Sequence, residues 1–212
     1  MSLAFAPFLT VWAVLAMNIA SPGPNVLNTI TTAMGSGRGP GLASAAGVAL
    51  GVGLWCLGMT LGMAALFQAV PATRALLTVI AIGLLLWFAS RYLGAAWAGW
   101  RHGAQRISGR AGLGMRASFL RSLSVNALNP KALTTWVVIL SLFPVAHAHA
   151  GDIALLGVGA ATIAFTIHAG YALAFSTPPA ARAWLRLAPA INTGVGVFFT
   201  GFALKLALGL LR

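Results

Sequence analysis

Hydrophobic residues run along this chain in long continuous stretches, separated by short segments that carry most of the charge. A bilayer core about 30 Å thick is crossed by about 20 apolar residues in a helix. Six stretches approach or exceed this length, at approximately residues 5–20, 42–67, 76–93, 119–143, 153–175 and 191–211. A transmembrane β-strand would instead alternate apolar and polar side chains over about 10 residues. The pattern therefore predicts an all-α membrane protein with six transmembrane helices.

Composition supports lipid as the solvent of this chain. Hydrophobic residues form 59% of its 212 residues and charged residues only 7%, whereas soluble domains carry about 25% charged residues. So few charges exclude a water-soluble enzyme, a disordered tail and a coiled coil. The length fits a single transmembrane domain, residues 1–212, with the bilayer as its main partner and a homo-oligomer still open.

The first apolar stretch has two interpretations. A signal peptide would have a basic start and a cleavage site of small residues. This stretch has no Lys or Arg before Arg38, and it ends in Pro-Gly-Pro. We therefore interpret it as a membrane helix. Uncharged sequence continues after Pro24, which extends that helix to about residues 5–35 with a break near its centre.

Charge predicts the orientation of the helices in the membrane. The net charge is +12 because Asp152 is the only acidic residue. Nine arginines fall in the loops of one side and two on the other, so the first side is predicted to be cytoplasmic and both termini to lie outside. We assign the basic central loop to topology and lipid contact rather than to nucleic acid. Three tryptophans are expected at the membrane interface, namely Trp97, Trp100 and Trp184.

Two segments of the chain, residues 17–25 and 125–133, align at an offset of 108 residues. The matched pairs are Asn18 with Asn126, Ser21 with Asn129 and Pro22 with Pro130. The offset is close to half the chain, and three helices in each half would insert in opposite directions. This predicts a 3+3 inverted repeat with halves at about 1–100 and 117–212, joined by the basic cytoplasmic loop.

Both aligned segments place proline inside an apolar stretch. Proline has no N–H and clashes with the preceding turn, so the first helix is predicted to break at P-G-P and the fourth at N-P-K. Freed N–H groups attract a carboxylate and freed carbonyls an ammonium, which together suit a zwitterion. The alternative is that the prolines only kink the helices and have no role in transport, with asparagine side chains hydrogen-bonding the freed backbone groups. The candidate substrate-binding residues are Asn18, Ser21, Pro22, Gly23, Pro24, Asn25, Asn126, Asn129, Pro130 and Lys131.

Two titratable residues lie inside predicted spans. A lysine near the centre of a membrane helix is costly, and such groups usually face the protein interior and serve function. Lys131 is therefore predicted to receive the carboxylate of a substrate or to move a proton, and snorkelling is a poor fit to its mid-helix position. His168 is a second candidate for proton coupling, because histidine titrates near neutral pH. A hydrogen-bonded packing histidine is the equal alternative.

Small residues and loop histidines carry less specific information. Gly47 and Gly51 are four residues apart, as are Gly58 and Gly62, and such spacing allows helices to approach closely. Apolar helices are often rich in small residues without this role.

His147 and His149 with Asp152 form at most a weak metal pattern. We predict no metal, no cofactor and no enzymatic activity, and a metal-ion exporter remains the alternative function.

At S-P-G-P-N, residues 21–25, and N-A-L-N-P-K-A-L, residues 126–133, the sequence resembles the LysE/RhtB family of bacterial amino-acid exporters. The resemblance extends over essentially the whole chain. It implies efflux of amino acids or close derivatives across the bacterial inner membrane, by alternating access and driven by the proton gradient. Many relatives carry Asp where this chain has Asn25, so the resemblance does not identify the coupling ion of this chain.

Overall fold

The structure is a computed structural model that describes residues 3–70, 73–103 and 108–210. The predicted basic loop and both chain ends fall partly outside these ranges. Within them the regular elements are helices, with no strand among the described residues. The α-helices are α1 Ala6–Ala20, α2 Pro24–Ser36, α3 Arg38–Ala69, α4 Thr73–His102, α5 Met115–Ala127, α6 Pro130–Leu142, α7 Ala150–Ala174 and α8 Pro178–Leu210. A 3₁₀ turn, Val145–His147, lies between α6 and α7.

The chain bends sharply between α1 and α2. Ser21 (φ −74°, ψ 145°) and Gly23 (φ −177°, ψ −179°) have extended backbone. Pro22 and Pro24 favour this conformation, because proline cannot donate to a helix and disfavours a helical residue before it. The two helices differ in direction by 53°, and together they are long and apolar enough to cross a membrane.

Four other helical segments have the length and apolarity of membrane spans. They are Arg38–Met63, Leu76–His102, Ala150–Ala174 and Arg186–Leu210. Their outer faces carry exposed aliphatic side chains, such as Leu54, Val158 and Val197. Lipid solvates such side chains well, so this chain is a helical membrane protein with several spans.

The apolar stretch at residues 119–143, predicted as a fourth span broken at N-P-K, contains two short helices. It is divided between α5 and α6, each 13 residues long, and of these α6 is the apolar one. The arginines, serines and asparagine of α5 lower its hydropathy. Asn129 caps α6 by accepting the Lys131 N–H at 3.0 Å. By length and apolarity the described helices account for four of the six predicted spans, or for five if the bent pair is one span.

The long helices pack in pairs, with α3 against α7 and α4 against α8. α3 also lies along α5, and glycine makes this approach possible. A Cβ at Gly47 would lie 2.3 Å from the Phe119 carbonyl oxygen, and one at Gly51 would lie 2.5 Å from Asn126 Oδ1. A Cβ at Gly58 or Gly62 would meet no heavy atom of another described residue within 4 Å. Only the first of the two glycine pairs therefore serves helix packing.

The loop position expected for Trp184 is wrong, and its interfacial depth stays a prediction. α8 begins at Pro178, so Trp184 lies within a helix rather than in a loop. Its indole is buried against Phe175 and Tyr171, with ring centroids 5.8 and 6.3 Å away. Packing an aromatic ring among other rings is favourable, which accounts for the burial of this indole within the protein. Trp97 and Trp100, by contrast, are exposed on α4.

Candidate functional site

A lysine from the second half of the chain contacts the bend in the first half. Nζ of Lys131 donates hydrogen bonds to the Asn18 carbonyl oxygen at 2.8 Å and to Ser21 Oγ at 2.7 Å. The Ser21 carbonyl oxygen lies 3.5 Å away. These oxygens surround the C-terminal end of α1, where backbone carbonyls have no helical partner and the helix dipole is negative. The ammonium is therefore bound without a carboxylate.

Both tyrosines of the chain reach the same bend. Tyr92, on α4, shares a 2.6 Å hydrogen bond with Ser21 Oγ, and its ring centroid is 5.3 Å from Lys131 Nζ. Tyr171, on α7, donates its hydroxyl to the Ala20 carbonyl oxygen at 2.6 Å. Two helices besides α6 thus hold the unwound segment in place. Neither tyrosine was a candidate from sequence, although the scarcity of polar groups in these spans was a usable signal.

We expect Tyr92→Phe to lower stability measurably while keeping the aromatic ring beside Lys131. Removing the hydroxyl deletes one buried hydrogen bond, which costs about 1 kcal/mol. The measurement is the thermal unfolding midpoint of the purified protein in detergent. Tyr92→Leu, which also removes the ring from Lys131 Nζ, should unfold at a lower temperature still. Equal midpoints for wild type and Tyr92→Phe would contradict a stabilising role for this hydroxyl.

A cavity of about 40 Å³ lies beside the bend, with room for a few water molecules. Most of the candidate residues line it, together with His168 from α7. Pro22 is not among the lining residues. Pro130 is the first residue of α6, and its side chain lies outside the described residues. The candidates that line the cavity are Asn18, Ser21, Gly23, Pro24, Asn25, Asn126, Asn129 and Lys131.

Three buried amide atoms at the cavity have no hydrogen-bond partner among the described residues. They are Nδ2 of Asn18, Oδ1 of Asn25 and Oδ1 of Asn126. A buried polar atom without a partner is costly, which favours a polar guest or water that can satisfy it. One unpartnered donor and two unpartnered acceptors thus lie on residues that line the cavity beside Lys131.

His168 belongs to a network of buried polar side chains contributed by four helices. Its Nδ1 lies 3.0 Å from Thr29 Oγ1, and Thr29 Oγ1 lies 3.0 Å from Ser44 Oγ. Ser44 Oγ is hydrogen-bonded to Ser122 Oγ, which accepts from Asn28 Nδ2 at 2.7 Å. Hydroxyl groups on apolar helices are common, so sequence reasoning did not single out these partners.

Two arginines extend this network toward the surface. Arg110 donates to Asn28 Oδ1 at 3.3 Å, and Arg121 Nε donates to the same oxygen at 3.0 Å. Backbone contacts hold Arg110 in place, because its N–H donates to the Thr31 carbonyl and its own carbonyl accepts from Ser36 Oγ. The central basic loop therefore contacts α2 directly. The sequence had predicted only a role in topology and lipid contact for this loop.

The histidines considered for a metal site do not form one among the described residues. No group of three His, Cys, Asp or Glu side chains with suitable spacing is present there. The Asp152 carboxylate instead accepts the backbone N–H groups of Leu3 and His149, at 3.1 and 3.0 Å. The carboxylate thus caps the start of α7 and holds the N-terminal segment against it.

Comparison with known proteins points to one family. Residues 16–210 match the model of the LysE type translocator family. The threonine efflux protein of Escherichia coli K12 is 28% identical over 204 residues, covering 95% of this chain and 97% of its own length. A putative amino-acid transporter of Aeromonas salmonicida is 32% identical, covering 77% of this chain and 75% of that protein. The homoserine/homoserine lactone efflux protein of Salmonella typhimurium is 28% identical, covering 72% of both. No solved structure matches the chain.

Proposed function

Because the chain belongs to the LysE type translocator family, whose members are transporters rather than enzymes, we propose that it exports small amino acids from the bacterial cytoplasm. Relatives named for threonine and homoserine efflux support a small zwitterion as the cargo. The excess of arginine in the loops of one side supports a position in the inner membrane with both termini outside.

The observation that carries this proposal is the contact of Lys131 Nζ with the Asn18 carbonyl and Ser21 Oγ. The lysine occupies the negative pole at the end of α1, where the ammonium of an amino acid would also bind. An arriving amino acid can exchange partners with it. Its ammonium takes the α1 oxygens, and its carboxylate takes the released Lys131 side chain.

Neighbouring groups complete such a site. The free Oδ1 atoms of Asn25 and Asn126 can accept from the ammonium, and the free Nδ2 of Asn18 can donate to the carboxylate. A cavity of about 40 Å³ is too small for a whole amino acid. The described conformation is therefore the closed one, and loading requires the helices around the bend to move apart. Alternating access provides that movement, with the bend as its hinge.

We assign the architecture as six spans in two inverted halves, with the α5 and α6 pair as the fourth span. Corresponding elements of the halves pack on each other, since α3 contacts α7 and α4 contacts α8. The two broken elements cross, with α1 against α6 and α2 against α5. This reciprocal pattern is what a two-fold axis in the membrane plane produces.

Proton coupling is assigned to Lys131 and His168, the titratable groups that line the cavity. Asn25 cannot titrate, so an acidic group after P-G-P is not the carrier here. A proton bound by either residue on one side of the membrane would be released on the other as access alternates. The network behind His168 holds its ring in a fixed orientation.

The decisive experiment is export from a strain stripped of its own amino-acid exporters. Cells loaded with labelled amino acids should lose threonine and homoserine faster when this protein is made, and a protonophore should slow that loss. Large aromatic amino acids should leave at the background rate. Expression that accelerates the loss of no amino acid in the panel would contradict the proposed function. Loss unaffected by the protonophore would contradict the coupling alone.

A further inference from the structure

Arg110 and Arg121 converge on a single neutral acceptor, Asn28 Oδ1. The two residues, called the arginine pair below, come from the central loop and from α5. Each guanidinium has five N–H donors and no acceptor. Sharing one amide oxygen leaves most of these donors free and brings two positive charges close together. The arrangement lacks an anion.

The chain does not supply that anion. Asp152 is the only acidic residue in the sequence, and its carboxylate is engaged at the start of α7 by the backbone of Leu3 and His149. Any carboxylate that binds the arginine pair therefore comes from outside the chain. A planar guanidinium binds carboxylates through two parallel hydrogen bonds, which makes a small carboxylate a fitting ligand.

Backbone contacts fix Arg110, whereas Arg121 is an exposed side chain of α5 that reaches Asn28 from the neighbouring helix. Arg110 N–H donates to the Thr31 carbonyl at 2.8 Å, and Ser36 Oγ donates to the Arg110 carbonyl at 2.6 Å. A Cβ at Gly35 would lie 2.3 Å from the Arg110 backbone, so this approach requires glycine. The loop is thus held against α2 with its arginine turned toward Asn28.

The position of Asn28 connects the arginine pair to the cavity. Asn28 follows Asn25 by three residues, so the two lie on one face of α2, about 4.5 Å apart along its axis. Asn25 lines the cavity. A group bound at Asn28 is therefore one helical turn from the cavity-lining Asn25, on the side of the arginine-rich loops.

We propose that the arginine pair and Asn28 form an entry site that captures the carboxylate of the cargo on the cytoplasmic side of the cavity. The inference rests on the proposed export function. In the described conformation Asn28 Oδ1 occupies the place of a carboxylate oxygen. The incoming carboxylate displaces it, and the cargo then passes inward by way of Asn25 to Lys131.

The first test measures uptake of labelled threonine into inverted membrane vesicles, whose outer surface is the cytoplasmic face. Arg110→Gln and Arg121→Gln should each raise the half-saturating concentration about tenfold, with the rate at saturation kept. Arg116→Gln, at an exposed position on α5, is the matched control and should match wild type. Wild-type half-saturation in both variants would overturn the entry site.

The second test uses Asn28→Asp, which places a carboxylate between the two arginines. The new carboxylate should compete with the cargo and raise half-saturation about tenfold or more. A variant with wild-type half-saturation would overturn the proposal even if an arginine variant fails to fold. If wild-type vesicles take up no amino acid, the proposed export function is contradicted. This outcome is distinct from one in which wild type transports and the variants match it, which contradicts the entry site alone.

A net anionic lipid headgroup could offer the same chemistry, and reconstitution separates this source from the cargo. Vesicles of phosphatidylcholine alone are compared with vesicles that also contain phosphatidylglycerol. A cargo site predicts the same rise in half-saturation for Arg110→Gln in both membranes. A rise confined to one lipid composition would assign the arginine pair to lipid and overturn the entry site.

Discussion

Export by a Lys131→Met variant is expected to fall about 10- to 100-fold relative to wild type, which corresponds to the loss of a hydrogen-bonded charge worth about 1.5–3 kcal/mol. Methionine retains the length of the side chain but cannot bind a carboxylate. It also cannot occupy the oxygens of Asn18 and Ser21 that Nζ contacts. The measurement is the initial rate of threonine loss from loaded cells, normalised to protein in the membrane.

Two further variants test whether the loss of export is specific to Lys131 and whether a positive charge alone is sufficient there. Lys205→Met removes an exposed lysine of α8, whose Nζ lies 5.7 Å from the Phe202 ring centroid, and it should export like wild type. Lys131→Arg keeps the charge but places a larger group beside a cavity of about 40 Å³, so export should still be impaired. Wild-type export by a well-expressed Lys131→Met variant would remove Lys131 from the mechanism.

The largest effect on folding is expected from Gly47→Ala. A Cβ there would lie 2.3 Å from the Phe119 carbonyl oxygen, which belongs to the α5 backbone and cannot rotate away. α3 and α5 must separate, and overpacking of this kind costs about 1–3 kcal/mol. The thermal unfolding midpoint in detergent should fall clearly. Export should fall as well, because α5 carries Asn126 into the cavity.

Gly58→Ala on the same helix is the matched control. Its Cβ would meet no heavy atom of another described residue within 4 Å. Alanine is a better helix former than glycine by up to about 1 kcal/mol, so stability should be unchanged or higher. Equal midpoints for the two variants would show that α3 and α5 do not depend on their close approach.

Much of the broad picture follows from the pattern of the chain. The match to the LysE type translocator family confirms the resemblance drawn from P-G-P and N-P-K, and a helical membrane protein follows from the long apolar runs. The alignment at an offset of 108 residues pairs Asn18 and Ser21 with the segment that contains Lys131. The structure brings these three residues into contact. Their role in transport stays a prediction.

Other features depend on packing that a single sequence does not encode visibly. Thr29, Ser44 and Ser122 come from three different helices, and each alone resembles an ordinary small residue of an apolar helix. Arg110 lies among many loop arginines, and only the approach of its backbone to Gly35 distinguishes it. The polarity of α5 was hidden because the apolar sequence of α6 dominates the average over residues 119–143.

The contact of Lys131 with the end of α1 also bears on ion leakage. An empty carrier with bare carbonyl oxygens at a helix end would attract sodium or potassium. Here a tethered ammonium already fills that place, so an inorganic cation must compete with a group that cannot diffuse away. Cells that make large amounts of this protein should therefore keep their sodium and potassium gradients while losing amino acids.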